Sequence, residues 1–200
     1  MKSEVNLLVI YYSKHGATRH LAELICEGVE SISGANALLR TVPNISAVSE
    51  AVEKPVPSDG PPYAEYTDFE LCDGLALGSP TRFGNMAAPL KYFLDGSSSQ
   101  WLAGTLSGKP ACVFTSSGSL HGGQESTLLT MMIPLLHHGM MILGLPYSLN
   151  ELHHTKTGGT PYGVSHFSDG QNQLSVSSDE SKLALAQGKR LALTALKLKS

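Results

Sequence analysis

The sequence predicts one doubly wound α/β domain over residues 1–200, with helices on both faces of a five-stranded parallel sheet. Two observations carry this. Five apolar, β-rich runs of strand length alternate with helical patterns along the chain, the grammar of a parallel sheet. The composition, 42% hydrophobic and 16% charged with 20 Gly and 11 Pro in 200 residues, suits a single loop-rich globular domain with a sizeable core.

Val5 to Tyr12 is short and largely apolar, as expected of a strand buried on both faces at the centre of such a sheet. It ends in the polar turn Ser13-Lys14-His15-Gly16-Ala17-Thr18. Leu21, Leu24, Ile25, Gly28 and Val29 then recur with helical spacing. Ala37 to Thr41 is the second strand. Leu75 to Ser79 is the third, followed by the loop Pro80-Thr81-Arg82-Phe83-Gly84-Asn85 and a helix over Met86 to Leu94. Ala111 to Thr115 is the fourth, followed by a Gly/Ser loop and a helix over Glu125 to His138. Met140 to Leu143 is the fifth. The last helix starts at the capping box Ser177-Ser178-Asp179-Glu180. Two stretches break the rhythm: Pro43 to Tyr66, with a short helix expected at Val48 to Glu53, and Gly144 to Ser178. Irregular segments of this length are usually functional or interfacial.

The bulk charge excludes some partners. A net charge of −3 without a Lys/Arg block does not indicate a nucleic-acid surface. Cys26, Cys72 and Cys112 are widely spaced, odd in number and set among apolar neighbours, so buried free thiols are expected, not a disulfide framework or zinc ribbon. There is no signal-peptide pattern and no apolar run long enough to span a membrane, so a cytoplasmic location is expected.

In an open parallel sheet, ligands bind beyond the carboxyl ends of the strands. The polar, glycine-bearing loops after the first, third and fourth strands all fall on that edge. Ser13 to Thr18 offers hydroxyls, a glycine and the first amides of a helix, a site for a phosphate dianion that requires no lysine. It lacks the G-x-x-x-x-G-K-[ST] and G-x-G-x-x-G patterns. An ordinary capped turn is the alternative. Pro80 to Asn85 combines a rigid start, the Phe83 ring and Gly84, which suits amides laid along a flat heterocycle. Arg82 either offsets negative charge on such a ring once reduced or makes a surface salt bridge. Ser116-Ser117-Gly118-Ser119-Leu120-His121-Gly122-Gly123-Gln124-Glu125 is flexible in φ and dense in donors, suited to ribityl hydroxyls and a ring edge, with a solvated connector as the alternative.

His137-His138 closes a helix, where a favourable dipole contact is the ordinary role. No metal site is expected, because H-E-x-x-H is absent and adjacent helical histidines diverge. Trp101 is either core or a cap over a bound cofactor. No G-x-S-x-G elbow supports a hydrolase.

Taken together, Tyr11-Tyr12-Ser13-x-x-Gly16, Gly78-Ser79-Pro80-Thr81-Arg82-Phe83-Gly84-Asn85-Met86, Ser117-Gly118, Gly122-Gly123-Gln124-Glu125, His137-His138-Gly139-Met140 and Gly158-Gly159-Thr160-Pro161-Tyr162-Gly163 span nearly the whole chain. In that order they resemble the WrbA family of flavodoxin-like NAD(P)H:quinone oxidoreductases. The resemblance implies FMN as cofactor, NADH or NADPH as electron donor, quinones as two-electron acceptors, and a homotetramer, or a dimer in equilibrium with it, with active sites at subunit contacts. It implies that Ser13, Lys14, His15, Gly16, Ala17 and Thr18 hold the phosphate. Pro80 to Asn85, Ser116 to Gly122 and His137 would line the flavin, and Trp101, His137 and His15 would meet substrate. The family often carries tyrosine where His15 stands, at a position linked to nicotinamide binding. The expected mechanism is ping-pong: hydride arrives from the nicotinamide, and a quinone then takes two electrons from the same face. No side-chain acid or base stands out. The rival readings are a flavodoxin-type electron carrier, disfavoured because such carriers are commonly strongly acidic, and a non-enzymatic regulatory partner.

Overall fold

The structure is a computed structural model that describes residues 4–45, 57, 59–171 and 173–199. Its centre is a parallel sheet. β1 (Val5–Tyr11) lies between β2 (Ala35–Thr41) and β3 (Gly74–Arg82), and β5 (Pro110–Ser117) follows β3. The spatial order is β2-β1-β3-β5-β6, with β6 (Met141–Ile142) at the edge. Every residue of β5 is buried, and all of β1 except Asn6, which explains their near-continuous apolar sequences.

Two cores flank the sheet. On one face α1 (Ala17–Glu30) and α7 (Ser178–Lys199) cover Val5, Leu7, Val9 and Phe114. These helices cross so closely that a Cβ on Gly28 would lie 2.2 Å from the Leu185 carbonyl oxygen, and one on Gly188 2.1 Å from that of Ile25. Only glycine fits at either position. On the other face α2 (Tyr66–Leu71), α3 (Ala88–Asp95) and α5 (Gln124–His137) bury Leu8, Ile10, Leu75 and Val113. The doubly wound architecture expected from the sequence is therefore present. The capping box of α7 forms as predicted: the Ser177 amide donates to Glu180 Oε2 at 2.7 Å, and the Glu180 amide donates to Ser177 Oγ at 3.3 Å. Leu198, near the end of α7, is half exposed.

Three elements differ from the sequence expectation, the first two because strand pairing overrides local pattern. Pro80 to Arg82 continues β3 instead of opening a loop. Phe83 and Gly84 then turn the chain into β4 (Asn85–Met86), antiparallel to β3. The fifth strand is in two pieces. β6 pairs with Pro110 and Ala111 of β5, the chain leaves the sheet, and β7 (Val164–Phe167) returns beside Phe114 to Ser117. The excursion includes the short α6 (Glu151–His154). Finally, α4 (Ser98–Leu102) follows α3, and Trp101 lies on it. The helix expected at 48–53 lies outside the described residues. Nearby, Ala64 and Pro62 bond to Thr41 and lengthen the β2 edge. Among the described residues, no helix is long and apolar enough to cross a membrane.

Candidate functional site

The carboxyl ends of β1, β3 and β5 open into one cleft. It is lined by Ser13, Lys14, His15, Ala17 and Thr18 from the first loop, Pro80, Thr81 and Arg82 from β3, and Ser116, Ser117 and Gly118 from β5 and its loop. Ser168, just beyond β7, completes it.

The first loop turns on Gly16, whose φ of 93° is left-handed and which has nothing within 4 Å of a built Cβ. Its amide donates to Ser13 Oγ at 3.1 Å. α1 then begins with no side-chain cap bond and no acidic residue in its first turn. The first amides of a helix have no intrahelical acceptor, and the helix dipole makes that end positive. Here they face a cleft rather than a capping oxygen. The Thr18 and Ser116 hydroxyls, both buried, meet at 2.8 Å and tie the first loop to β5. This arrangement fits a terminal phosphate, and so fits FMN.

The second loop is a two-residue hairpin with φ of 53° at Phe83 and 75° at Gly84. Such a turn needs positive φ at both central residues. Glycine adopts it freely, whereas an aromatic residue there is strained by on the order of 1–2 kcal/mol. Phe83 is also fully exposed. Backbone strain combined with an uncovered ring is the kind of local cost that functional sites carry. The hairpin is held against the third loop by close backbone approach: a Cβ on Gly123 would lie 3.0 Å from Gly84 Cα. Thr81 Oγ1 also meets Thr127 Oγ1 at 2.7 Å.

Phe83, Gly84, Asn85, Ser119, Leu120, His121 and Gly122 do not line the cleft in this structure; they form its rim and the turns beyond it. His137 and Trp101 are not brought to it at all. α5 leaves the carboxyl end of β5 and runs back for 14 residues. At ~1.5 Å per residue, that puts His137 roughly 20 Å away, at the amino edge of the sheet. There Trp101 Nε1 donates to the His137 carbonyl at 2.8 Å. Both side chains are exposed on a cavity of about 390 Å³ that also includes Leu94, Ile133 and Pro134. Trp101 is thus not core. The histidine pair divides: His137 is exposed, while His138 is buried beside Ser97. Ser97 Oγ donates to the Leu94 carbonyl, so His138 Nε2, 3.0 Å away, is the donor to Ser97 Oγ. Burial first, and the neighbouring His137 second, push the His138 pKa down. It is a neutral anchor.

Sequence reasoning missed Ser168. Its amide and hydroxyl both bond to the Ser117 carbonyl, at 2.9 and 3.0 Å. It stands there because β7 is parallel to β5 and ends on the same edge. β7 is fastened by Glu180, whose Oε1 accepts from the amides of Gly158 and Phe167 and whose Oε2 faces His166 Nδ1 at 3.0 Å. Burial opposes the charge on Glu180, but His166 and the amides of Ser177 and Phe167 outweigh it and hold its pKa at about 2. The signal for this segment was the Gly158 to Gly163 motif together with the capping-box glutamate.

The three cysteines are free. Cys72 and Cys112 are buried and Cys26 is partly so, and burial pushes their thiols up to about 11, 12 and 12 respectively, so they are poor nucleophiles.

Residues 5–154 match the family described as NADPH-dependent FMN reductase. The chain belongs to that family. A member named NAD(P)H dehydrogenase (quinone) from Geobacter sulfurreducens is 40% identical over 97% of this chain and 99% of its own. One of the same name from Geobacter metallireducens is 40% identical over 98% and 100%. Among solved structures, the flavodoxin, WrbA-like protein from Agrobacterium tumefaciens superposes with a TM-score of 0.66 at 24% identity, over 98% of this chain and all of its own. Flavodoxin 1 from Bacillus cereus gives 0.63 at 18%, over 94% and 97%. These two likenesses establish the flavodoxin-like fold of this FMN reductase family member.

Proposed function

We propose that this chain is an FMN-dependent NAD(P)H:quinone oxidoreductase. The observation that carries the reading is the uncapped amino end of α1 opening, beside the Thr18 and Ser116 hydroxyls, into a cleft shared by three sheet-edge loops. The quinone activity follows the names of full-length relatives at 40% identity.

FMN, when bound, would supply the redox chemistry, two-electron transfer between a nicotinamide donor and a quinone. Ser13 to Thr18 hold the phosphate through amides and hydroxyls. Pro80 to Asn85 and Ser116 to Gly122 surround the rest of the cofactor. Arg82, whose Nη1 donates to the Thr81 carbonyl at 2.7 Å, brings positive charge to the cleft where negative charge develops on reduction. His15 lies on the cleft wall, and there it would meet the incoming nicotinamide. Donor and quinone would enter the same cleft in turn, which predicts ping-pong kinetics.

The protein acts as a homotetramer, or as a dimer in equilibrium with it. Trp101 and His137 lie roughly 20 Å from the cleft of their own chain, by the length of α5 at ~1.5 Å per residue. They therefore reach a flavin only on a neighbouring subunit, where the indole walls the quinone site and the imidazole bonds a quinone oxygen. Exposed Tyr92, Leu129, Ile133 and Leu136 give the subunits an apolar surface to share, and the segments 43–66 and 144–178 add to the contacts. The three free thiols suit a cytoplasmic location.

The test is to load the purified protein with FMN and follow NADH and NADPH oxidation with and without benzoquinone. Quinone-dependent oxidation is expected. FMN binding without it would leave the electron-carrier reading. Light scattering showing only an FMN-loaded monomer would remove the shared site.

A further inference from the structure

A buried hydrogen-bond relay runs beneath the third cofactor loop, and its middle member, Gln124, has no place in the reading above. The Gly159 amide donates to Ser165 Oγ at 2.7 Å, and Ser165 Oγ donates to Gln124 Oε1 at 2.6 Å. Gln124 Nε2 donates to Ser117 Oγ at 2.8 Å, and Ser117 Oγ donates to the Ser119 carbonyl at 2.8 Å. Ser165, Gln124 and Ser117 are all almost wholly buried. The chain starts at a group that can only donate and ends at one that can only accept. Each hydroxyl between has one proton to give, so the direction of every bond, including the orientation of the Gln124 amide, is dictated by the two ends.

We propose that Gln124 is the positioning residue for the third cofactor loop, fixing Ser117 and Ser119 through its donor–acceptor polarity. This rests on FMN occupying the carboxyl-edge cleft, which Ser117 lines. The Ser117 carbonyl is already held twice by Ser168. Gln124 fixes the other half of that residue, its hydroxyl, and so decides which way its proton points. With the amide in place, Ser117 gives its proton to Ser119, whose carbonyl also accepts from the Gly122 amide at 3.2 Å. The turn at the rim of the cleft is thereby closed from within the fold. Removing the amide leaves Ser117 Oγ without its donor and Ser165 without its acceptor, and the loop loses its reference. Gln124 does not line the cleft and takes no part in the chemistry; it acts through Ser117. The relay also ties the loop to Gly159, in the segment between β6 and β7, so that the two glycine-bearing motifs behave as one unit.

Polarity gives the test. A neutral carboxylic acid carries one donor and one acceptor, like the amide, whereas a thioether has neither. FMN affinity is read by quenching of flavin fluorescence, each variant relative to wild type at the same pH, with circular dichroism of the apoprotein checking that helix content is kept. Gln124→Met is expected to bind FMN about tenfold more weakly at every pH, the loss of roughly one buried hydrogen-bonded position. Gln124→Glu is expected to recover to within about threefold of wild type near pH 5.5, where the buried carboxyl is neutral. If Gln124→Met does not fold, Ser165→Ala takes its place. It removes the relay upstream without touching the cleft and should weaken FMN about threefold. A folded Gln124→Met that binds as tightly as wild type overturns the proposal, as does a Gln124→Glu no better than Gln124→Met at acid pH. Wild type that fails to bind FMN would instead overturn the cofactor reading beneath it.

Discussion

The two edges of the sheet present opposite chemistry. At the carboxyl edge, three loops and the end of β7 are knitted by hydroxyl bonds, buried from Thr18 to Ser116 and from Ser168 to Ser117 and half-buried from Thr81 to Thr127. The cleft they form is lined by hydroxyl-bearing and charged residues, among them Ser13, Lys14, Thr18, Arg82 and Ser116. At the amino edge, Trp101 and His137 share one hydrogen bond, the surrounding surface is apolar, and Ile133 and Leu136 are exposed. Gripping a charged cofactor demands preorganised donors, which a single fold supplies. Receiving a flat, weakly polar acceptor demands an apolar wall, which is costly to leave in water and stable once covered. On the reading proposed above, the chain would keep cofactor affinity to itself and leave substrate affinity to association.

The largest effect should appear where the carboxyl edge meets the phosphate. Several amides and two hydroxyls exchange water for a dianion, and each charge-assisted bond contributes about 1.5–3 kcal/mol. FMN is therefore expected to bind at least ~100-fold more tightly than riboflavin in calorimetric titration. Equal affinities would place the phosphate elsewhere and erase the contrast between the edges.

Next comes the scaffold behind that edge. Glu180 has its pKa depressed from 4.5 to about 2 in the fold. The stability it contributes is fully present above 4.5 and is lost as pH falls through 2, about 3 kcal/mol in all at ~1.36 kcal/mol per unit. Glu180→Gln should cost about that much in urea unfolding at neutral pH, and the gap to wild type should close as the solution is acidified from 4.5 toward 2. A gap that stays constant with pH would mean the carboxylate charge does not fasten β7.

Much of this was legible in the sequence, for identifiable reasons. The β1–α1 turn announces itself because a buried strand, a glycine and a helical stripe lie side by side in the chain. The α7 capping box does so because Ser177 and Glu180 are three residues apart. β7 was not legible: Val164 to Phe167 is four residues with a serine and a histidine inside it, and it becomes a strand only against Phe114 to Ser117. Ser168 was lost with it. Pro80 to Arg82 looked like loop because proline breaks strands, yet Pro80 pairs with Ser116 near the strand end, where a missing donor matters least. The distance of His137 from the cleft was readable in principle, since a helix following a strand must run back to the opposite edge.

A smaller effect falls on a single hydroxyl. Thr18→Val keeps shape and removes the partner of Ser116 Oγ, so FMN should weaken by about 1–2 kcal/mol, roughly five- to thirtyfold. The same titration measures it. An unchanged affinity would reassign that hydroxyl pair to the core of the sheet alone.

The smallest expected effect is the one that most sharply separates the edges. Trp101→Ala removes an aromatic wall worth about 0.5–1.5 kcal/mol to a flat ligand, so the quinone KM should rise about three- to tenfold while FMN affinity stays within about twofold. The indole also bonds the His137 carbonyl. Trp101→Phe, which keeps a ring and loses that bond, should therefore fall between wild type and alanine. His137→Ala should lower turnover without abolishing it, because the hydride chemistry belongs to the cofactor. Initial-rate plots for the parent enzyme should give parallel lines, with high quinone competing against NADH. Since Trp101 cannot reach the cleft of its own chain, dilution that dissociates the oligomer should raise the quinone KM of the unmutated enzyme in the same direction as Trp101→Ala, and should add little to the variant. If Trp101→Ala weakens FMN as much as it weakens quinone, the two edges are one site. If KM is indifferent to both dilution and substitution, the amino edge serves assembly only.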